Sequence, residues 1–255
     1  MEKLSSLSLQ ERQRKAEGLL DTFSKFTEYK HGAKNPYRTW LNTNPILTIE
    51  QVVKFICFWY PVSRQQPQIL LRCTAAYEKW NDRKLMMQNY LEEDGMLKAG
   101  QDPHYYLLQQ LIKKLDSKFE IDRKVEIDGK IEIDDKYIGD EQANEIVNKF
   151  HNTLDKMSPA EATGFVAAIE HPALDISAYF NKIVELCGRA ELLKSDLYLS
   201  IHIDVEPDHI IWAHGNAERY MKNGKADEVI NAFKTAMSFW TEFWAIAFTK
   251  LAYPN

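Results

Sequence analysis

His202, Glu206 and His209, in the run HIDVEPDH, stand four and three residues apart. On an α-helix turning about 100° per residue, the three side chains fall within roughly 60° of one another. Two imidazoles and a carboxylate on one face suit iron, manganese or zinc and supply half of a dinuclear site. Leu197, Leu199, Ile201, Ile203, Val205, Ile210, Ile211 and Trp212 surround them, and ionisable groups in so apolar a setting are costly unless paired or ligated. Asp204 and Asp208 point elsewhere on the same helix. Pro207 lies inside the run and removes a backbone hydrogen bond, so the helix is expected to kink or restart there.

Two further segments offer matching ligands. Glu170 ends the run Gly164-Phe-Val-Ala-Ala-Ile-Glu170, where a carboxylate on an apolar helix either reaches solvent or binds something. In NYLEEDGMLKAGQDPH, Glu92 and Glu93 close one helix before a glycine-containing loop and His104 opens the next. The total is three histidines and three carboxylates, the ligand count of a carboxylate-bridged di-iron site. Glu92 rivals Glu93 for one of these places. Of the seven histidines, His31, His151, His171 and His214 show no comparable setting. His171, followed by Pro172, reads as supporting or structural.

These residues need helices to hold them, and the pattern predicts an all-α chain. Ten glycines and nine prolines are few for 255 residues, and apolar residues recur at three and four, the helical period. Helices are expected near 8–30, 48–60, 66–93, 103–116, 141–156, 159–187, 194–222 and 226–251. Ser158, Pro159 and Glu161 form a capping box with a first-turn proline, and Asp102-Pro103 opens the helix that begins with His104. The stretch 118–139 alternates apolar and charged residues around Asp128-Gly129, the pattern of a surface β-hairpin inserted between helices. Without a Pro-, Gly- or Ser-rich linker, residues 1–255 are expected to form one domain. Phe233, Met237, Trp240, Trp244 and Phe248 recur along the final helix, a stripe that packs a core or lines a cavity.

A net charge of -5 and the lack of a basic patch set nucleic-acid partners aside. With no apolar run of about 18 residues, a membrane span is not expected. Three isolated cysteines, Cys57, Cys73 and Cys187, and a start without an apolar signal core point to a reducing cytoplasm.

In chain order, a Glu, a His beyond a glycine-containing loop, a helical Glu and a His-x-x-x-acid-x-x-His triplet resemble the haem-oxygenase-like di-iron oxidase and oxygenase family. The resemblance covers most of the chain, and the run NPYRTWLNTNPILTIEQVVKFICFWYPVSRQQPQILLR is similar to that family's opening. Matched residue by residue, Glu93 and His104 stand for the first Glu and His, Glu170 for the middle Glu, and His202, Glu206 and His209 for the closing triplet. The resemblance implies a haem-oxygenase-like bundle of about seven helices without haem. It also implies two ferrous ions (Fe, with manganese an alternative at one position), dioxygen as co-substrate and a small-molecule substrate, with a homodimer allowed. Members oxidise amino acids, fatty acids or related amines and carboxylates by N-oxygenation, C–C cleavage or desaturation. The chain departs from the pattern at Glu206, where Asp is commoner, at Pro207, in a slightly long Glu93-to-His104 loop, and in the 118–139 insertion. Two alternatives stand beside this one: a metal-independent enzyme of the same fold, either a cofactorless oxidase or a thiaminase-like hydrolase, which would need a nucleophilic cysteine near a carboxylate, and a non-catalytic iron-binding helical protein.

Overall fold

Helices begin where the sequence supplies caps. Ser8, Thr48 and Ser158 each form a capping box, opening α1 (Leu9–Phe23), α3 (Ile49–Ala76) and α7 (Pro159–Glu170). Asn35, Asp140 and Asp196 accept first-turn N–H bonds at α2 (Pro36–Leu41), α6 (Glu141–Thr153) and α10 (Leu197–Tyr220), which satisfies donors that a helix cannot pair internally. The rest are α4 (Trp80–Glu93), α5 (His104–Leu115), α8 (Ala173–Leu186), α9 (Leu192–Ser195) and α11 (Ala226–Ala252). The computed structural model describes residues 6–77, 79–96, 102–116, 124–127, 130–133, 140–155 and 157–253. The architecture is an all-α bundle. Within the expected insertion, β1 (Lys124–Ile127) pairs antiparallel with β2 (Lys130–Ile133), Ile127 opposite Lys130; Asp128 and Gly129 lie outside the described residues.

Helix boundaries differ from expectation mainly at prolines. The predicted break between 60 and 66 is absent, because α3 runs through Pro61 and Pro67. An interior proline costs about 3 kcal/mol; here both prolines are buried, as are Phe55, Ile56, Phe58, Trp59 and Leu70 of the same helix, and burial of that face offsets the cost. The chain breaks instead after Ala76, separating α3 from α4. The predicted helix 159–187 is two, since Pro172 follows the end of α7 and opens α8. Nine of the described helices have twelve or more residues, against about seven expected. Through Pro207 the outcome is again continuity: α10 does not restart. Arg12 of α1 donates to the Asp204 carbonyl at 3.0 Å and pairs with Asp208 at 2.9 Å, bracing the helix around the missing N–H.

The core is aromatic. Trp59 stacks on Trp240 and Trp244 with ring centroids 5.8 and 5.4 Å apart, and Phe233, Met237, Trp244 and Phe248 of the final-helix stripe are buried with them. α11 packs against α7 closely enough that a Cβ on Gly164 would lie 2.1 Å from the Val229 carbonyl oxygen. Gly164→Ala is therefore expected to push α7 off α11 and cost about 3 kcal/mol or more, read as a fall in the urea midpoint without a change in slope. Trp240 Nε1 donates to the Ala168 carbonyl at 3.0 Å, anchoring the end of α7 where Glu170 stands.

Candidate metal centre

The buried face of α4 is polar: Asp82, Met86, Asn89, Glu92 and Glu93 point inward. Asp82 fixes the helix by pairing with Arg219 at 2.6 Å and accepting from the Tyr220 hydroxyl at 3.2 Å. After Glu93 the chain turns sharply. Gly95 (φ +67) takes the left-handed conformation that ends α4, with Gly95 N–H donating to Glu92 and Met96 N–H to Leu91, the hydrogen-bond pair of a glycine-terminated helix. A Cβ there would sit 2.5 Å from the Asp102–Pro103 peptide, so glycine lets the returning chain pass close by. That return places His104, at the start of α5, against Glu93.

Five of the six residues named from the sequence close a ring of contacts, and Glu170 joins it through His209. His104 Nδ1 lies 3.0 Å from Glu93 Oε2, and the His104 and His202 ring centroids are 4.8 Å apart. His202 Nε2 lies 3.9 Å from Glu206 Oε1, and Glu206 Oε2 is 3.5 Å from His209 Nδ1. The same Nδ1 is 3.7 Å from Glu93 and 3.8 Å from Glu170. One ligand atom each from Glu170, Glu206 and His209 lies within 4.8 Å of the others, all buried, so the group could hold a metal ion. Glu92 joins as well: its Oε2 accepts from His209 Nε2 at 3.0 Å. The rivalry between Glu92 and Glu93 thus has a different form from the one expected, since both adjacent carboxylates face the cluster, one on each side of His209.

Burial and mutual charge set the protonation. Burial alone would raise Glu93, but His104 and His209 outweigh it and hold the carboxyl down at about 2. Burial pushes Glu170 up to about 8, with the Glu206 and Glu93 charges adding to it and His209 opposing. Burial disfavours charge on His209 as well, yet bonds to Glu206 and Glu92 raise it well above the ordinary imidazole value. His202 is lowered by burial and by the His104 charge. Burial works against charge on His104 too, yet the neighbouring Glu93 carboxylate raises it, so His104 and His209 are the two imidazoles whose charge the carboxylates favour.

The donors suit a metal. His104 Nε2 is buried without a hydrogen-bond partner, while Nδ1 of His104 and Nδ1 of His209 face carboxylates without good hydrogen-bond geometry, and buried polar atoms left so are rare unless a ligand or water completes them. His202 donates from Nδ1 to the Tyr198 carbonyl at 2.6 Å, which selects the tautomer whose Nε2 lone pair faces Glu206. Glu170 Oε1 accepts from Asn89 Nδ2 at 3.0 Å. Such orienting bonds are the usual support of metal-bound imidazole and carboxylate. Imidazole with carboxylate fits iron, manganese or zinc. Beside the ligands lies a cavity of about 20 Å³, lined by Trp59, Ser63, Ile176, Tyr198 and Trp240 among others, enough for one water-sized molecule. Of the six candidate ligands, His202 is the least covered. The apolar setting expected around it is incomplete, since Leu197 and Ile203 face outward.

Sequence reasoning missed Asn89 and the partnership of three outlying histidines. Asn89 was recoverable, since Asp82, Asn89 and Glu93 repeat at helical spacing on a helix with little apolar face. The histidines lie far apart in sequence and left no such trace.

No family model matches the chain, and no curated protein matches it in sequence. Among solved structures, a CADD-like protein of unknown function from Nostoc punctiforme PCC 73102 is similar in two crystal structures. The 2.00 Å structure superposes with a TM-score of 0.69 at 14% identity, covering 95% of this chain and 99% of the other. The 1.35 Å structure gives a TM-score of 0.63 at 12% identity, over 95% and 96%. The chain therefore shares, along nearly its whole length, the helical fold of a CADD-like protein.

Proposed function

We propose that this protein is a non-haem di-iron oxidase or oxygenase, one that activates dioxygen to oxidise a small organic substrate. The observation that carries the reading is the buried ring of three histidines and four carboxylates, in which imidazole nitrogens are left without hydrogen-bond geometry and the carboxylates outnumber the imidazoles that favour charge. Two divalent ions would resolve both imbalances by replacing protons on the ligands. Glu93, His104, Glu170, His202, Glu206 and His209 would hold them, with Glu92 beside His209. Iron, with manganese an alternative at one position, supplies electrons for dioxygen reduction when bound.

The chain's own part is positional. Asn89 and the Tyr198 carbonyl orient Glu170 and His202 before any metal arrives. Trp59, Trp240 and Ile176 give the adjoining cavity apolar walls, and its size suits dioxygen. An amino acid, fatty acid or related amine needs more room, so its entry requires side chains to move beside His202, the least covered ligand. The hydrolase alternative loses ground because burial pushes the Cys57 and Cys73 thiols up to about 12, far from the thiolate that attack demands. No helix among the described residues is long and apolar enough to cross a membrane, which leaves a small molecule from solution as the simplest partner.

Anaerobic titration with ferrous iron is expected to reach about two ions per chain, the occupancy of a dinuclear carboxylate site. Oxygen uptake by the loaded protein is then expected to rise with a suitable organic acid or amine. A chain that takes up no iron would sink the reading, while oxygen uptake accounted for by iron oxidation alone would favour a non-catalytic iron-binding protein.

A further inference from the structure

Three histidines outside the metal centre, expected to share no special setting, are joined end to end. His214 of α10 donates from Nδ1 to the Ile210 carbonyl at 3.2 Å, and its Nε2 lies 3.0 Å from His171 Nδ1. His171 Nε2 is 2.7 Å from His31 Nε2, and His31 Nδ1 is 3.0 Å from Asp175 Oδ2. Asp175 Oδ1 also accepts from the Gly32 N–H and from Arg38, each at 3.1 Å. His171 and His214 are completely buried, whereas His31 reaches the surface.

The two ends set the polarity of this chain. A backbone carbonyl and a carboxylate can only accept, so four hydrogen bonds in a row need four N–H groups, and three neutral imidazoles carry three. His214 must donate to Ile210, which leaves its Nε2 to accept from His171. His171 Nε2 then accepts from His31, and the chain is complete only with one extra proton beside Asp175. Burial keeps that proton away from the inner rings: it lowers His171 well below the ordinary value and His214 to about 3.

The attachment points matter more than the length. His171 directly follows Glu170, the last residue of α7, and Ile210 directly follows His209. At the end of α7 the helical ladder stops and Pro172 follows, so the backbone carrying Glu170 needs another anchor. The chain also does not lead into the cluster, because it ends on a carbonyl. We propose that His31, His171 and His214 are positioning residues for the metal centre, tying the backbones that present Glu170 and His209 to each other and to the His31–Asp175 pair, of which only His31 reaches solvent. This inference rests on reading the cluster as a metal site.

Two variants at the surface end test it with cobalt(II) as the probe. His31→Leu fills space but donates nothing, whereas the ammonium of His31→Lys can donate to both His171 and Asp175. Loss of a supporting hydrogen bond typically weakens metal binding about 10- to 100-fold. His31→Leu is therefore expected to lower cobalt affinity at least about tenfold and to alter the visible d–d spectrum. His31→Lys is expected to keep the wild-type spectrum and an affinity within about threefold of wild type. Unchanged affinity and spectrum in His31→Leu, or equal loss in both variants, would overturn the proposal while leaving the metal site standing. Wild type that binds no cobalt, iron or manganese would remove both. Should His31→Leu fail to fold, ¹⁵N spectra of zinc-loaded wild type decide instead. His171 and His214 are expected as neutral Nδ1–H tautomers, and finding the Nε2–H form at either would overturn the chain.

Discussion

His209→Ala is expected to be the most damaging single substitution in this protein, for stability as well as for metal binding. The ring approaches Glu92 at 3.0 Å, Glu206 at 3.5 Å, Glu93 at 3.7 Å and Glu170 at 3.8 Å, and no other side chain in the cluster faces all four acids. Removing one partner from a buried charge cluster costs about 3–5 kcal/mol, which for a chain of this size is roughly 10 °C or more in Tm. The pH window follows from the shifts. His209 is raised above the ordinary imidazole value of 6.5, so its contribution is complete below 6.5 and disappears as pH climbs through the raised value. Glu93 is depressed from 4.5 to about 2, so its contribution is complete above 4.5 and fades as pH falls toward 2. The gap between wild type and variant should thus be widest from pH 4.5 through 6.5 and narrow in acid, as thermal melts across pH would read. Iron uptake in the variant should fall to at most one ion per chain. His151→Ala, with a ring that pairs with Arg72 and Gln65 away from the cluster, should leave uptake intact. A His209→Ala protein that still bound two ions would contradict the assignment of this residue as a ligand.

Glu170→Gln is expected to act in opposite directions on the metal-free and metal-loaded protein. Glu170 titrates near 8 in the fold, against 4.5 when unperturbed. Between those values the folded protein holds a proton that the unfolded chain releases, so stability falls as pH rises from 4.5 to 8 and is level above. Glutamine keeps the shape, and its carbonyl still accepts from Asn89, but it has no proton to lose. The metal-free variant should therefore be more stable than wild type at pH 8, by an amount on the order of a few kcal/mol, and nearly equal to it at acid pH. Metal reverses the order. An ion at one hundred times its Kd stabilises the wild type by about 2.7 kcal/mol, and a chain lacking the Glu170 carboxylate should gain much less. Calorimetry at pH 8 with and without manganese would show the two melting curves exchanging places. Failure to exchange would mean that Glu170 is a buried acid without a metal to serve.

The legible parts of this protein are those in which local chemistry decides. Ser158, Pro159 and Glu161 specify the start of α7 by capping alone, and α10 presents His202, Glu206 and His209 on one face because helical spacing admits no other outcome. All six ligand candidates could be named from residue type and spacing, helped by the resemblance to a di-iron family. Where tertiary packing competes with local preference, the prolines were misleading. Pro61 and Pro67 continue α3 because their rings are buried in an aromatic core, and Pro207 is tolerated because Arg12, nearly two hundred residues away in sequence, braces the backbone there.

By itself, then, the sequence determined the helical class, the caps, the strand pairing within 118–139 and the residue types gathered at the candidate metal centre, since each depends on residues within a few positions of one another. Only the tertiary structure decided that Glu92 as well as Glu93 faces His209, that Asn89 holds Glu170, and that His31, His171 and His214 form one chain. Each of these joins separate helices across the bundle. Which side chains meet there depends on how the helices pack, and no periodicity along the chain encodes it.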